Sequence, residues 1–172
     1  HPLRLLFELY LETGLRRGEG LGLTWRKIDW TNSSITITES LSDAKGKPSL
    51  GSVKTSASER SVKLGKETMT QLKQRKSELD ALRLQYGKNF NSDDLVFFNS
   101  VGRGYMPRYV LAEFKKLCSA AGLAQEICIH SLRHTHGTVL RRQGTPIEII
   151  QKRLGHSRAS ITLDTYTHRE DE

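Results

Sequence analysis

At 172 residues the chain fits one compact domain, long enough to bury a core without disulfides or a metal to staple it. Lysine and arginine outnumber aspartate and glutamate by 27 to 19, a net charge of +8, which points to an anionic partner, nucleic acid being the commonest large one. No apolar run approaches the ~20 residues that span a bilayer, the start lacks a signal peptide's order of regions, and Cys118 and Cys128 match neither a metal pair nor a disulfide framework, so a membrane protein and a secreted disulfide scaffold are disfavoured and a reducing cytoplasm is expected.

In chain order, Leu3, Leu5, Leu6, Leu9 and Tyr10 form a helical stripe, which Thr13-Gly14 breaks before a second short helix over LRRGEGLGL. The chain opens as if in the middle of a helix and is expected to be cut from a longer protein. SSITIT (33–38) alternates with period two; after a Gly/Lys/Ser/Pro-rich loop, GSVKTS and RSVKL read as two more short strands, giving a small three-stranded antiparallel sheet. Lys66 to Tyr86, with Leu72, Leu79 and Leu82 among charges, predicts one long solvated amphipathic helix ending near Gly87, and LVFFNS a brief buried strand or turn. The last third reads as helices over 108–122, over 131–143 ended by Gly144, over PIEIIQKRLG with Pro146 in the first turn, and from about Ser157. The predicted fold is mainly α (α+β), helical with one small sheet.

The stretch IHSLRHTHGTVLRR (129–142) raises the chemical question. His130 and Arg133, three apart, share a helix face near the free N–H groups of a helix start, where an anion such as phosphate is favoured. Leu132, Thr135, Val139 and Leu140 are expected to line the inner side, with His134 and His136 as partners of the core or of the groups that support the site. A zinc site over His130, His134 and His136 is disfavoured because no Glu base or third ligand stands at the usual spacing, and neighbouring arginines would repel the ion.

With three further segments, this stretch resembles the catalytic domain of the tyrosine recombinases, the family of phage and conjugative-transposon integrases and chromosome-dimer resolvases. TGLRRGEGLGLTWRKIDW (13–30) is similar to the family's first arginine box, with Arg16 and the companion acid Glu19; VKTSASERSVKL (53–64) resembles the hairpin carrying the lysine, here Lys54. HSLRHTH (130–136) supplies His130 and Arg133, and LGHSRASITLDTYTH (154–168) supplies His156 and the nucleophile Tyr166. Arg17 departs from the family's small or apolar residue. The resemblance covers nearly the whole chain as one catalytic domain, 1–172, a fragment without the family's N-terminal DNA-gripping domains.

What the resemblance implies is site-specific recombination of a mobile element. The Tyr166 hydroxyl attacks a DNA phosphodiester to leave a 3′-phosphotyrosyl link and a free 5′-hydroxyl, and a different strand's hydroxyl reverses the step. A tyrosine of pKa ~10 needs a base, and His130 is the candidate. Arg16 and Arg133 clamp the charge gathering on the phosphorane-like transition state. Lys54 protonates the leaving oxygen, which no arginine can do, His156 adds a hydrogen bond, and Glu19 orients the cluster without reacting. No cofactor, metal or ATP is called for.

The implied partners are double-stranded recombination sites, a homotetramer on DNA for the full-length protein with the isolated fragment a monomer, and no membrane, in the bacterial cytoplasm at the nucleoid. Arg17, Lys45, Lys47, Arg60, Arg103 and Arg108 are candidates for phosphate contact as against plain solvation. Two other functions compete: relaxation of supercoils in the manner of a type IB topoisomerase, and a catalytically silent DNA-binding regulator.

Overall fold

The computed structural model describes residues 1–53 and 59–155. Helix α1 (Arg4–Thr13) buries Leu6, Leu9, Tyr10 and Thr13 on one face, and Gly14 ends it in the left-handed region at φ 66°, its N–H returning 2.9 Å to the Tyr10 carbonyl. That reversal delivers the chain to the short helix α2 (Arg17–Leu21), locked against α1 by the Tyr10 hydroxyl, which donates to the Arg17 carbonyl at 2.6 Å. The order continues through a 3-10 turn, Trp25–Lys27, and strands β1 (Ile28–Asp29), β2 (Ser34–Ile37), β3 (Glu39–Ala44), β4 (Lys47–Ser52) and β5 (Arg60–Lys63). Then come α3 (Lys66–Tyr86), α4 (Pro107–Ala120), α5 (Ile129–Arg142) and α6 (Ile147–Leu154).

The mainly helical fold with a small three-stranded antiparallel sheet is as expected, but its strands are differently drawn. The sheet order is β1-β2-β5, with Ile35 opposite Ile28 on one side and Val62 on the other. The expected strands over 33–38 and RSVKL are β2 and β5, and the third strand of their sheet is Ile28–Asp29; of GSVKTS, Gly51 and Ser52 end β4 in the other sheet, and Lys54 to Ser56 lie outside the described residues. The expected Gly/Lys/Ser/Pro-rich loop is a separate hairpin, β3 with β4, turning at Lys45-Gly46, where φ is 52° and 79°. Two successive positive φ angles suit the tight hairpin turn whose twist matches its strands. Apart from Leu41 the hairpin buries almost nothing, so it carries no alternation of apolar and polar residues for a sequence reading to find.

The core runs from α1 through the sheet to α3 and α4: Leu9, Tyr10, Leu21, Ile35, Val62, Leu72, Leu79, Leu95, Phe97 and Val110 are all buried. LVFFNS is a buried turn region, with Val96 N–H donating to the Leu23 carbonyl at 2.8 Å. Helix α3 buries Thr68, Met69, Leu72 and Leu79 and solvates its remaining faces, as its charges dictate. The inner face of α5 matches expectation in part: His136 is buried and Leu132 packs against the core, but Ile129, Arg133 and Gly137 are buried as well, while Thr135 and Val139 are exposed. Leu140 does pack inward, against Ile150 and Leu154 of α6. Pro146 stands just ahead of α6 as its N-cap. The helix expected from about Ser157 lies outside the described residues, and among these no helix is long and apolar enough to cross a membrane.

Candidate active site

The site is assembled on the last turn of α6. The final carbonyls of any helix lack intrahelical donors and carry the negative end of its dipole, so cations gather there. Here three consecutive carbonyls each take a different arginine. Arg60 Nε donates to the Arg153 carbonyl at 2.7 Å, Arg133 Nη2 to that of Leu154 at 2.7 Å, and Arg16 Nη2 to that of Gly155 at 2.9 Å. Gly155 itself sits at φ 68°, ending α6 in the conformation that only glycine adopts without strain. Residues more than a hundred positions apart in the chain are thus tied to one turn.

Glu19 is the second organiser. It is buried, and its two oxygens accept four bonds: Oε2 from the Arg16 backbone N–H at 2.8 Å and Arg60 Nη2 at 2.7 Å, Oε1 from Arg16 Nη1 at 2.8 Å and Arg60 Nη1 at 3.2 Å. Burial alone would raise its pKa, but the hydrogen bond and charge of Arg60, followed by the bonds from Arg16, reverse this and hold it below its ordinary 4.5. Glu19 is therefore ionised throughout the neutral range.

The two arginines expected to act together are brought together but unequally exposed. The Arg16 side chain is 42% exposed, whereas Arg133 is 2% exposed, with Nη1 on the Gly14 carbonyl at 2.7 Å in addition to its bond to Leu154. The carbonyl that Arg133 grips precedes Arg16 by two residues, so the guanidinium holds the turn from which Arg16 projects. His130 stands at the solvent edge in the first turn of α5, its ring packed edge-on to that of His134 with centroids 4.6 Å apart. Partial burial, and then the charges of His134, Arg133 and Arg16, lower its pKa below 6.5. It is a neutral imidazole at pH 7, able to accept a proton, and near enough to both guanidiniums to feel their charge.

Lys54, His156 and Tyr166 lie outside the described residues. Arg17, Lys45, Lys47, Arg103 and Arg108 are exposed and open to a polyanion. Arg60, expected at the surface as a phosphate contact or a solvated charge, is instead 8% exposed and engaged with Glu19 and α6. The reason is register: it leads a strand whose alternate residues, Arg60 and Val62, face the core while Ser61 and Lys63 face out. That alternation in RSVK was the available signal.

His136 and Arg153 form a network that the sequence reading did not anticipate in full. His136 Nδ1 pairs with the Leu11 carbonyl at 3.1 Å and Nε2 receives Arg153 Nε at 3.0 Å, which requires a neutral ring with its proton on Nδ1. Burial first, and the Arg153 charge second, push its pKa down to about 4. No group of three or more His, Cys, Asp or Glu among the described residues is placed to hold a metal ion.

The chain matches the phage integrase family across residues 1–172. It belongs to that family. A tyrosine recombinase XerC-like protein of Caldanaerobacter subterraneus subsp. tengcongensis is 31% identical to this integrase-family chain, the match covering 98% of the chain and 46% of the relative. The ICEBs1 integrase of Bacillus subtilis is 30% identical, over 96% of this chain and 45% of that protein. Among solved structures, the Tn1549 transposon integrase in complex with transposon right end DNA superposes with a TM-score of 0.81 over 95% of this chain and 54% of the other, at 20% identity. The chain spans about half the length of the curated relatives it matches.

Proposed function

We propose that this chain is the DNA-cleaving and rejoining domain of a site-specific recombinase that moves a mobile element, working through a 3′-phosphotyrosyl intermediate without metal or ATP. The observation that carries the reading is the convergence of Arg16, Arg133, Glu19 and His130, distant in sequence, around the end of α6, immediately before the segment that holds His156 and Tyr166. Family membership and the names of the relatives support it.

In this reading the half-exposed Arg16 is the arm that meets the scissile phosphate, and Arg133 backs it from below with a second fixed charge. Charges held rigidly before the reaction need no reorganisation as the transition state forms, which is what makes such groups effective. The Tyr166 phenol attacks phosphorus and passes its proton to neutral His130; the bond to the 5′-oxygen breaks, and Lys54 protonates that oxygen. His156 adds a hydrogen bond to a non-bridging oxygen. Rejoining runs the same steps backwards with another strand's 5′-hydroxyl, so the energy of the broken bond is conserved in the tyrosyl ester.

The exposed Arg17, Lys45, Lys47, Arg103 and Arg108 serve affinity, as sequence-independent contacts to double-stranded DNA. The domain belongs to a longer protein that acts as a homotetramer on paired recombination sites, in the bacterial cytoplasm at the nucleoid. The test is covalent trapping: full-length protein is incubated with nicked suicide duplexes carrying the ends of its element, then resolved under denaturing conditions. An adduct formed by wild type and lost in Tyr166→Phe and Arg16→Ala supports the proposal. Tight DNA binding with no adduct from wild type overturns it in favour of a silent DNA-binding regulator, and sequence-independent plasmid relaxation overturns it in favour of a topoisomerase.

A further inference from the structure

We propose that Arg60 is a positioning residue for Arg16, acting through Glu19 and through the last turn of α6. The inference rests on the reading of Arg16 as the phosphate-binding arm.

Arg60 faces inward because it shares the core side of β5 with Val62, opposite Ile37 of β2. A buried guanidinium is tolerated only when charge and hydrogen-bonding capacity are both met. Arg60 meets them on two targets. Its forked end lies across both oxygens of Glu19, at 2.7 and 3.2 Å, and its Nε reaches the Arg153 carbonyl at 2.7 Å.

Those two targets bear on the anchors of Arg16. Arg16 is held by Glu19, through both its backbone N–H and Nη1, and by the Gly155 carbonyl through Nη2. Glu19 can accept from Arg16 in this way only as a carboxylate, and burial favours the neutral acid unless a second cation compensates; Arg60 is that cation. The Gly155 carbonyl stands two residues beyond the carbonyl that Arg60 fixes, and the Arg60 side chain packs so closely there that a Cβ on Gly155 would meet its Nη1 at 2.9 Å. One residue thus sets both supports of the exposed arginine, with its own guanidinium committed to Glu19 and to the Arg153 carbonyl. Lysine cannot substitute fully, because a single ammonium cannot span two carboxylate oxygens and a carbonyl.

The test compares Arg60→Met, Arg60→Lys, Glu19→Gln and the Arg60→Met/Glu19→Gln double variant. Three quantities are read on each: the adduct-forming rate at saturating suicide duplex, the affinity for that duplex, and the Arg16 Nε–H resonance in free protein. Arg60→Met is expected to slow adduct formation by ~10-fold or more while DNA affinity changes by less than ~3-fold, a loss in the reacting complex and not in binding. Arg60→Lys should recover part of the rate, the Arg16 resonance should move in Arg60→Met and return part-way in Arg60→Lys, and Arg60→Met should cost little more once Glu19 is Gln. An unmoved Arg16 resonance with wild-type rate in folded Arg60→Met, or fully additive losses in the double variant, overturns the proposal. If Arg60→Met does not fold, Arg60→Lys decides: a wild-type rate and an unmoved Arg16 resonance overturn it, a slower rate with a moved resonance supports it. If wild type forms no adduct, the reading of Arg16 fails, and the Arg16 resonance alone still decides whether Arg60 positions it.

Discussion

The guanidiniums of Arg16, Arg60 and Arg133 and the ammonium groups of Lys45 and Lys47 come from the same basic composition, yet the fold treats them in opposite ways. At the end of α6 each arginine is fixed by at least one backbone carbonyl, and two of the three also share a buried carboxylate. At the tip of the β3–β4 hairpin both lysines point into solvent from a turn that buries nothing. The first region stores order that chemistry can use; the second offers charge that a polyanion can find. Substitutions should therefore cost stability and reaction rate in the first region, and only salt-dependent affinity in the second.

The largest effect is expected at Glu19. Glu19→Ala leaves Arg60 buried without its carboxylate, a change worth about 3–5 kcal/mol of stability, measured by urea unfolding, with adduct formation abolished. Because the folded-state pKa of Glu19 lies below its unfolded value, its contribution is present above the unfolded value and is lost as pH falls through the folded one; Glu19→Gln should lack that acid-limb decline. Next is Arg133→Ala, which orphans the carbonyls of Gly14 and Leu154 and should cost roughly 2–4 kcal/mol, with Arg133→Lys recovering only part because it lacks the fork.

His136 gives a pH signature of its own. A histidine held neutral in the fold, with its pKa pushed from 6.5 to about 4, contributes its full stability above pH 6.5 and loses it as pH falls towards 4. The loss should be on the order of 3 kcal/mol, and thermal melts of His136→Gln should show that slope flattened. The smallest effect belongs to the hairpin: Lys45→Ala and Lys47→Ala should each leave stability within about 0.5 kcal/mol, yet reduce the slope of log affinity against log salt by about 1. A large stability loss there would erase the contrast between the two regions.

The same contrast explains what the sequence made legible. The helices were readable because their apolar residues recur with helical period, and the capping glycines 14, 87 and 155 marked where they stop. The inner face of α5 is legible only in part: Leu132, His136 and Leu140 turn inward as expected, but the burial of Arg133 is not readable, because its acceptors, the carbonyls of Gly14 and Leu154, are remote in sequence. Only the tertiary fold supplies such acceptors. The β3–β4 hairpin is illegible for the opposite reason: apart from Leu41 and the half-buried Leu50 near its base it buries little, so it imposes no run of alternating apolar residues on its sequence. Of the candidate site residues, Arg16, Glu19, His130 and Arg133 are those the family resemblance implies, whereas Arg60 reads as a surface cation because a lone arginine in a short strand usually is one.

The central proposition is that Arg16 and Arg133 serve one oxyanion. Orthovanadate, which forms trigonal-bipyramidal species resembling a phosphorane, can be titrated into isotope-labelled chain while the side-chain N–H resonances of both arginines are followed. Both sets are expected to shift along a single saturation curve, and the response of Arg133 to weaken sharply in Arg16→Ala. Resonances that saturate at different concentrations, or Arg133 signals that stay still while those of Arg16 move, would contradict a shared site.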